Sequence, residues 1–316
     1  VTRPRVEEPV ERRIAILDAP CNLGLRPPRP GHEPGCRFAP DALRGRGLVE
    51  RLGAEDAGRV TPPPYSPDPE PVTGYRNGLG IAAYTDDLAD RVGELLDAGR
   101  FPLLLGGECG IALGPALALR RRGAFGLAYL DGHDDYSPRR DPERFAGELT
   151  AGGSALALVT GRGPAPLSDR HGLGPYVAGE HAVHIGRQVE PEDVEGWDLE
   201  VFERSAIRKY PIEYVREHGA RAAADAARAD LEAAPVEGFW IHVDVDVLDR
   251  RVMPAVDSPN PDGIDLAEFT TVLGVLAASP RAVGAHVTIY DPERDPDGSC
   301  GAALADALVA AFRPAG

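Results

Sequence analysis

Continuous apolar runs and amphipathic stretches take turns along the chain. Residues 13–17, 101–105, 126–130, 182–185, 239–245 and 282–289 are hydrophobic without in–out alternation, the pattern of strands buried on both faces of a parallel sheet. Between them, 82–98 carries Leu88, Val92, Leu95 and Leu96 at i, i+4, i+7 and i+8, one apolar stripe on a helix. Stretches 212–233, 266–276 and 302–312 behave alike. Strands separated by helices build βαβ units, so the fold expected is α/β on a mostly parallel sheet. The Pro-rich stretches 26–40 and 61–71 read as surface loops. Nothing in the composition marks a boundary, so a single domain is expected over 1–316.

Charge narrows the partners. With 34 basic and 50 acidic side chains the net charge is −16, which disfavours a phosphate backbone or an anionic membrane surface as the main partner. No run of 18 apolar residues exists to span a bilayer. Residues 1–13 have no apolar core of a secretory signal. The four cysteines, Cys21, Cys36, Cys109 and Cys300, form no CxxC pair, which fits neither a disulfide scaffold nor a zinc finger. A reducing cytoplasm is the expected compartment.

Polar chemistry concentrates where two apolar runs end. Tyr129-Leu130 leads into Asp131-Gly132-His133-Asp134-Asp135, and Phe239-Trp240-Ile241-His242-Val243 leads into Asp244-Val245-Asp246 and Asp249. Parallel sheets bind ligands at the carboxyl ends of their strands. In an extended chain Asp131 and His133 share a side, as do His242, Asp244 and Asp246. Bringing both clusters together would crowd carboxylates, each raising its neighbours' pKa. Divalent cations relieve that crowding, and carboxylates with imidazole suit manganese, magnesium or zinc. A single strand-end aspartate is more often a cap or turn former, but two such clusters are hard to assign to turns alone. Asp249 reads as a turn residue, Asp134 as solvated, and His242 equally as a ligand or as a core histidine. A third segment, Gly106-Gly107-Glu108-Cys109-Gly110, lacks the Lys and Ser or Thr of a phosphate loop. Its Cys109 reads as a thiolate ligand, an acidified nucleophile or a small buried residue.

These three segments, in this order, resemble the ureohydrolase family of arginases, agmatinases and formiminoglutamases, over most of the chain. Gly35…Ala39-Pro40…Leu43-Arg44…Gly47-Leu48 looks like the family's opening pattern. Asp131-Gly132-His133-Asp134-Asp135 matches Asp-Ala-His-x-Asp, and Asp244-Val245-Asp246…Asp257-Ser258-Pro259 follows Asp-Val-Asp…Gly-Thr-Pro. The resemblance implies a three-layer α/β/α sandwich. It also implies two divalent ions, manganese first, bridged by Asp131 and Asp244, with His133 and Asp246 completing one. Asp135 and Cys109 would complete the other, with zinc as the alternative occupant there. The activity implied is hydrolysis of a C–N bond in a small guanidino, hydroxyguanidino or formimino substrate by a metal-bridging hydroxide. Asp135 would assist its deprotonation as the catalytic residue, and Ser258 would contact substrate. A homo-oligomer, trimer or hexamer, is the implied assembly.

The departures define what is distinctive. Cys109 replaces the family's histidine and follows Glu108, a thiolate being softer than imidazole. Ala151-Gly152-Gly153-Ser154 replaces His-Gly-x-Pro, and Ile289-Tyr290-Asp291-Pro292 replaces the segment whose Glu pairs with guanidinium. An unpaired guanidinium in a closed pocket would cost several kcal/mol, so arginine is disfavoured. His286, two residues before Thr288, is the expected replacement polar contact. The alternative reading is a metalloprotein of the same fold with an amide-type substrate or a non-catalytic binding role.

Overall fold

The computed structural model describes residues 12–140, 144, 147–189 and 191–313, without the side chains of 191–193. The start of the chain, read above for an export signal, lies outside these up to residue 11. Eight parallel strands form one sheet: β1 (Ile14–Ala19), β2 (Glu55–Arg59), β3 (Phe101–Gly106), β4 (Gly126–Leu130), β5 (Ala182–Ile185), β6 (Arg208–Tyr210), β7 (Phe239–Asp244) and β8 (Ala282–Thr288). Their order is β2-β1-β3-β8-β7-β4-β5-β6.

Every residue of β1, β3, β4, β5 and β7 is buried, as continuous apolar runs require of strands covered on both faces. Helices flank the sheet, giving the expected α/β/α layering. Gly78–Asp97 packs on Leu113–Arg120, while Leu266–Ala277 packs on both Ala220–Ala233 and Ser299–Phe312. Helix Leu266–Ala277 starts with a capping box: Asp265 accepts from the Ala267 and Glu268 amides, and Glu268 accepts from the Asp265 amide. None of the helices described is long and apolar enough to cross a membrane.

Two strands have no counterpart among the expected ones. β2 and β6 are the sheet edges, and only Ala57 and Tyr210 within them are buried. A short polar edge strand carries no apolar run to detect. The amphipathic stretch 212–233 is two helices, broken at Gly219, whose φ of 87° ends the first.

The topology positions the site. From β3 the chain crosses to β4 and returns through β7 and β8 into the gap between them. The carboxyl ends of β3, β8, β7 and β4 therefore lie side by side.

Candidate metal centre

Each of these four strand ends contributes a polar group. After β3 the turn through Gly107 passes so close to the loop after β1 that a Cβ there would lie 1.8 Å from the Cys21 carbonyl oxygen. Glycine is required for that approach. Glu108 then caps the next turn, accepting from the Gly110 amide at 2.6 Å, and delivers Cys109 over the end of β7. The Cys109 thiol lies 2.8 Å from Asp244 Oδ2 and 3.2 Å from Thr288 Oγ1.

Asp131 and Asp244 are built alike. Asp131 Oδ1 accepts from the His133 amide at 2.7 Å, and Asp244 Oδ1 accepts from the Asp246 amide at 2.8 Å. One oxygen of each carboxylate thus closes its own turn and leaves the other facing the gap. This corrects the expectation of simple strand alternation: β4 ends at Leu130, and Asp246 sits in a 3₁₀ turn, Val245–Val247. The aspartate turns, not the pleat, bring His133 and Asp246 inward, with His133 Nδ1 3.0 Å from Asp246 Oδ2.

Two donor sets result. Cys109, Asp131, His242 and Asp244 form one, and Asp131, His133 and Asp246 form another, with the donor atoms of each set within 4.8 Å of one another. Asp131 belongs to both. Its Oδ2, like His242 Nε2, is buried without a hydrogen-bond partner, an arrangement costly to leave unmet. A thiolate, carboxylates and imidazole suit a first-row transition ion or zinc, so the residues fit a cation.

Electrostatics point the same way. Burial, with the neighbouring Asp135 and Asp246, pushes Asp131 well above the carboxylate range, and burial with Asp246 and Asp131 does so for Asp244. Burial pushes Asp135 up to about 8, against the Tyr129 hydroxyl and His133. Burial, then Asp244, Asp135 and Asp131, raises the Cys109 thiol. Burial opposes a charge on His133, yet Asp246 and Asp131 raise it well above the usual imidazole value. Without a cation the cluster retains protons in place of positive charge.

The expected site residues fall into three groups. Cys109, Asp131, His133, Asp244 and Asp246 converge. Asp135 lies in neither donor set; with φ of 45° it turns into the cavity, where its Oδ2 accepts from Tyr129 at 2.7 Å. Ser258 lines the same cavity, of about 250 Å³. His286 does not line it. Fully buried, it lies between Trp240 and His242, so the substrate contact expected of it is not available from that position. Asp134 is not a solvated residue: it accepts from Ser137 Oγ at 2.7 Å and pairs with Arg187 at 3.2 Å. Burial opposes its charge, but Arg187 and Ser137 hold its pKa below the usual value.

Several functional neighbours were not legible in the sequence. Thr288 ends β8 against the Cys109 sulfur. The wall of the cavity includes Arg26, Arg139, Arg187, Trp197 and Asp257, with the Arg139 guanidinium 3.7 Å over the Trp197 ring. Ile289 lines it too, at a φ of 76°, a true outlier for a β-branched residue. Asp291 faces an adjoining cavity with Cys36 and Arg294. The one available signal was spacing: Tyr129, His242 and His286 each lie two residues before the polar group at or just past the end of their strand, Asp131, Asp244 and Thr288.

The Arginase family matches residues 12–312. The arginase of Brevibacillus brevis is 26% identical over 294 residues, covering 90% of this chain and 93% of that protein. The native arginase structure from Bacillus caldovelox superposes with a TM-score of 0.84 at 24% identity, over 96% of this chain and 99% of that one. The formimidoylglutamase structure from Bacillus subtilis gives 0.69 at 18% identity, over 96% and 87%. With a match spanning all eight strands and both donor sets, the chain belongs to the arginase family.

Proposed function

We propose that the protein is a binuclear metal-dependent hydrolase that cleaves a C–N bond in a small guanidino, hydroxyguanidino or formimino substrate. The observation that carries this reading is the pair of donor sets sharing Asp131, of which Cys109, His133, Asp244 and Asp246 line a cavity. When bound, a pair of divalent cations supplies Lewis-acid polarisation and an acidified water. Manganese is the proposed occupant, with zinc the alternative beside Cys109.

The chain's own residues do the rest. Asp131 and Asp244 present one oxygen each, held in direction by the turns that their other oxygens close. Asp135, buried at the cavity and bonded to the Tyr129 hydroxyl, is the proposed proton acceptor, its raised metal-free value being one that adjacent cations would lower. Tyr129 fixes its Oδ2, and Ser258, on the cavity wall, is the proposed substrate contact. A cavity of about 250 Å³ lies just below the usual range for drug-sized ligand sites, about 300 Å³ upward, which suits a small metabolite.

Ile289 in the wall favours a second substrate class, a neutral amide, over a cationic guanidinium, because it offers no counter-charge. The similar structures include an arginase and a formimidoylglutamase, which supports the guanidino and formimino classes. A homo-oligomer, trimer or hexamer, completes the proposal. The test is metal content after manganese loading, followed by turnover on guanidino, formimino and amide compounds. Two equivalents per chain with turnover on one class supports the reading. No bound metal after loading would overturn it.

A further inference from the structure

Behind the carboxylates, one row of side chains crosses the sheet in register. His286 on β8 is opposite His242 on β7, His242 is opposite Tyr129 on β4, and Tyr129 is opposite His184 on β5. His242 is the member nearest the centre. By distance alone it looks like a ligand, its Nε2 lying 3.8 Å from Asp131 Oδ2. Its hydrogen-bond partners indicate otherwise.

The chain of bonds starts at Trp240. An indole N–H can only donate, and Trp240 Nε1 lies 2.8 Å from His286 Nδ1. His286 Nδ1 must therefore accept, so the ring carries its proton on Nε2. His286 Nε2 meets His242 Nδ1. With the proton on the His286 side, His242 Nδ1 also accepts, and His242 carries its proton on Nε2. That nitrogen lies 3.8 Å from Asp131 Oδ2, and both atoms are buried without any hydrogen-bond partner. The ring cannot easily swing away. Tyr129 stacks on it at 3.8 Å and 10°, and the His286 ring meets it edge-on at 4.6 Å.

We propose that the Trp240–His286–His242 relay makes His242 a positioning residue, offering an N–H to Asp131 Oδ2 and not a lone pair to a cation. This rests on the reading of Asp131 as a shared metal ligand. A buried ion would then draw on Cys109, Asp131 and Asp244, with the thiolate as the one donor of that set that is not a carboxylate. The imidazole holds the shared carboxylate from behind, as outer partners of metal ligands do.

The experiment is long-range ¹H–¹⁵N correlation on ¹⁵N-histidine-labelled protein, metal-free and after loading with ¹¹³Cd²⁺. His242→Gln and His286→Gln spectra assign the two rings. The expected result is a protonated Nε2 and a bare Nδ1 on both rings, in both states. A bare His242 Nε2, or a ¹¹³Cd–¹⁵N coupling to it, would overturn the proposal. Trp240→Phe removes the fixed donor and should turn the single tautomer into a mixture; an unchanged pattern would deny the indole its role. In cadmium titrations His242→Leu should weaken binding about tenfold, while His242→Gln, which retains an N–H, should restore most of that loss. Equal losses in the two variants would make His242 a ligand. If wild type takes up no metal, the hydrolase reading fails, while the metal-free spectrum still decides the relay.

Discussion

The Cys109 sulfur lies 2.8 Å from Asp244 Oδ2, a thiol donating to a carboxylate at the bottom of a closed cluster. Burial and three carboxylates hold that thiol protonated, so it is unreactive until a cation displaces the proton. Iodoacetamide should leave Cys109 unmodified in the metal-free protein at neutral pH. Cobalt loading should produce a sulfur-to-cobalt charge-transfer band that Cys109→His lacks. The same substitution should raise manganese affinity relative to zinc by about tenfold, since imidazole is the harder donor. Competitive metal binding measures the ratio, and an unchanged ratio would remove Cys109 from the donor set.

Metal-free stability should fall as pH rises. Asp135 moves from 3.8 to about 8 on folding, and Asp131 and Asp244 are also raised by burial. The native chain then binds more protons than the unfolded one, so the contribution is full below the unfolded carboxylate value and is lost through the window up to about 8. Each retained proton contributes a slope of at most about 1.4 kcal/mol per pH unit. Thermal unfolding of chelator-treated protein should show a lower midpoint at the alkaline end of that window, and manganese should reverse the trend. A flat metal-free profile would contradict the crowding.

Asp246→Ala should remove one ion and abolish turnover while leaving the fold intact. Asp246 faces His133 at 3.0 Å and accepts from the Gly132 amide at 3.2 Å, so its loss opens one donor set but also relieves carboxylate repulsion. Metal per chain should drop from two to one, with an unchanged circular dichroism spectrum. Full turnover in this variant would refute the catalytic assignment.

Ile289→Glu tests what the wall excludes. Ile289 is buried, its amide donates to the Gly107 carbonyl at 2.6 Å, and its side chain lines the cavity. A carboxylate at this position should improve kcat/KM for cationic guanidino compounds at least tenfold, about 1.4 kcal/mol. It should do nothing for neutral amides. Improvement on both classes alike would mean that Ile289 does not set charge preference.

The sequence made the central strands and the donors legible because both depend on local pattern. Runs such as 101–105 and 126–130 are apolar for the same reason that they are buried, and Asp131 and Asp244 stand where those runs stop. What escaped were relations between distant segments. Nothing near Thr288 announces a sulfur from the turn after the neighbouring strand β3, far off in sequence, and nothing near Arg139 announces Trp197. His242 could not be assigned because its surroundings depend on His286 lying opposite it on β8, with Trp240 bonded to that second ring. The edge strands β2 and β6 escaped because an exposed edge needs no apolar run.

The in-register row His286, His242, Tyr129 and His184 ties assembly of the centre to assembly of the sheet. A slip of one residue in β4 would turn Tyr129 to the opposite face, losing the stack and the hold on Asp135, and a slip in β7 would turn His242 away, losing the stack and its contact with His286. The centre therefore cannot form on a mispaired sheet and weaken by degrees. On the proposed reading, metal uptake would report whether these strands have found their alignment, and the cation would be a proofreader of folding as well as a reagent.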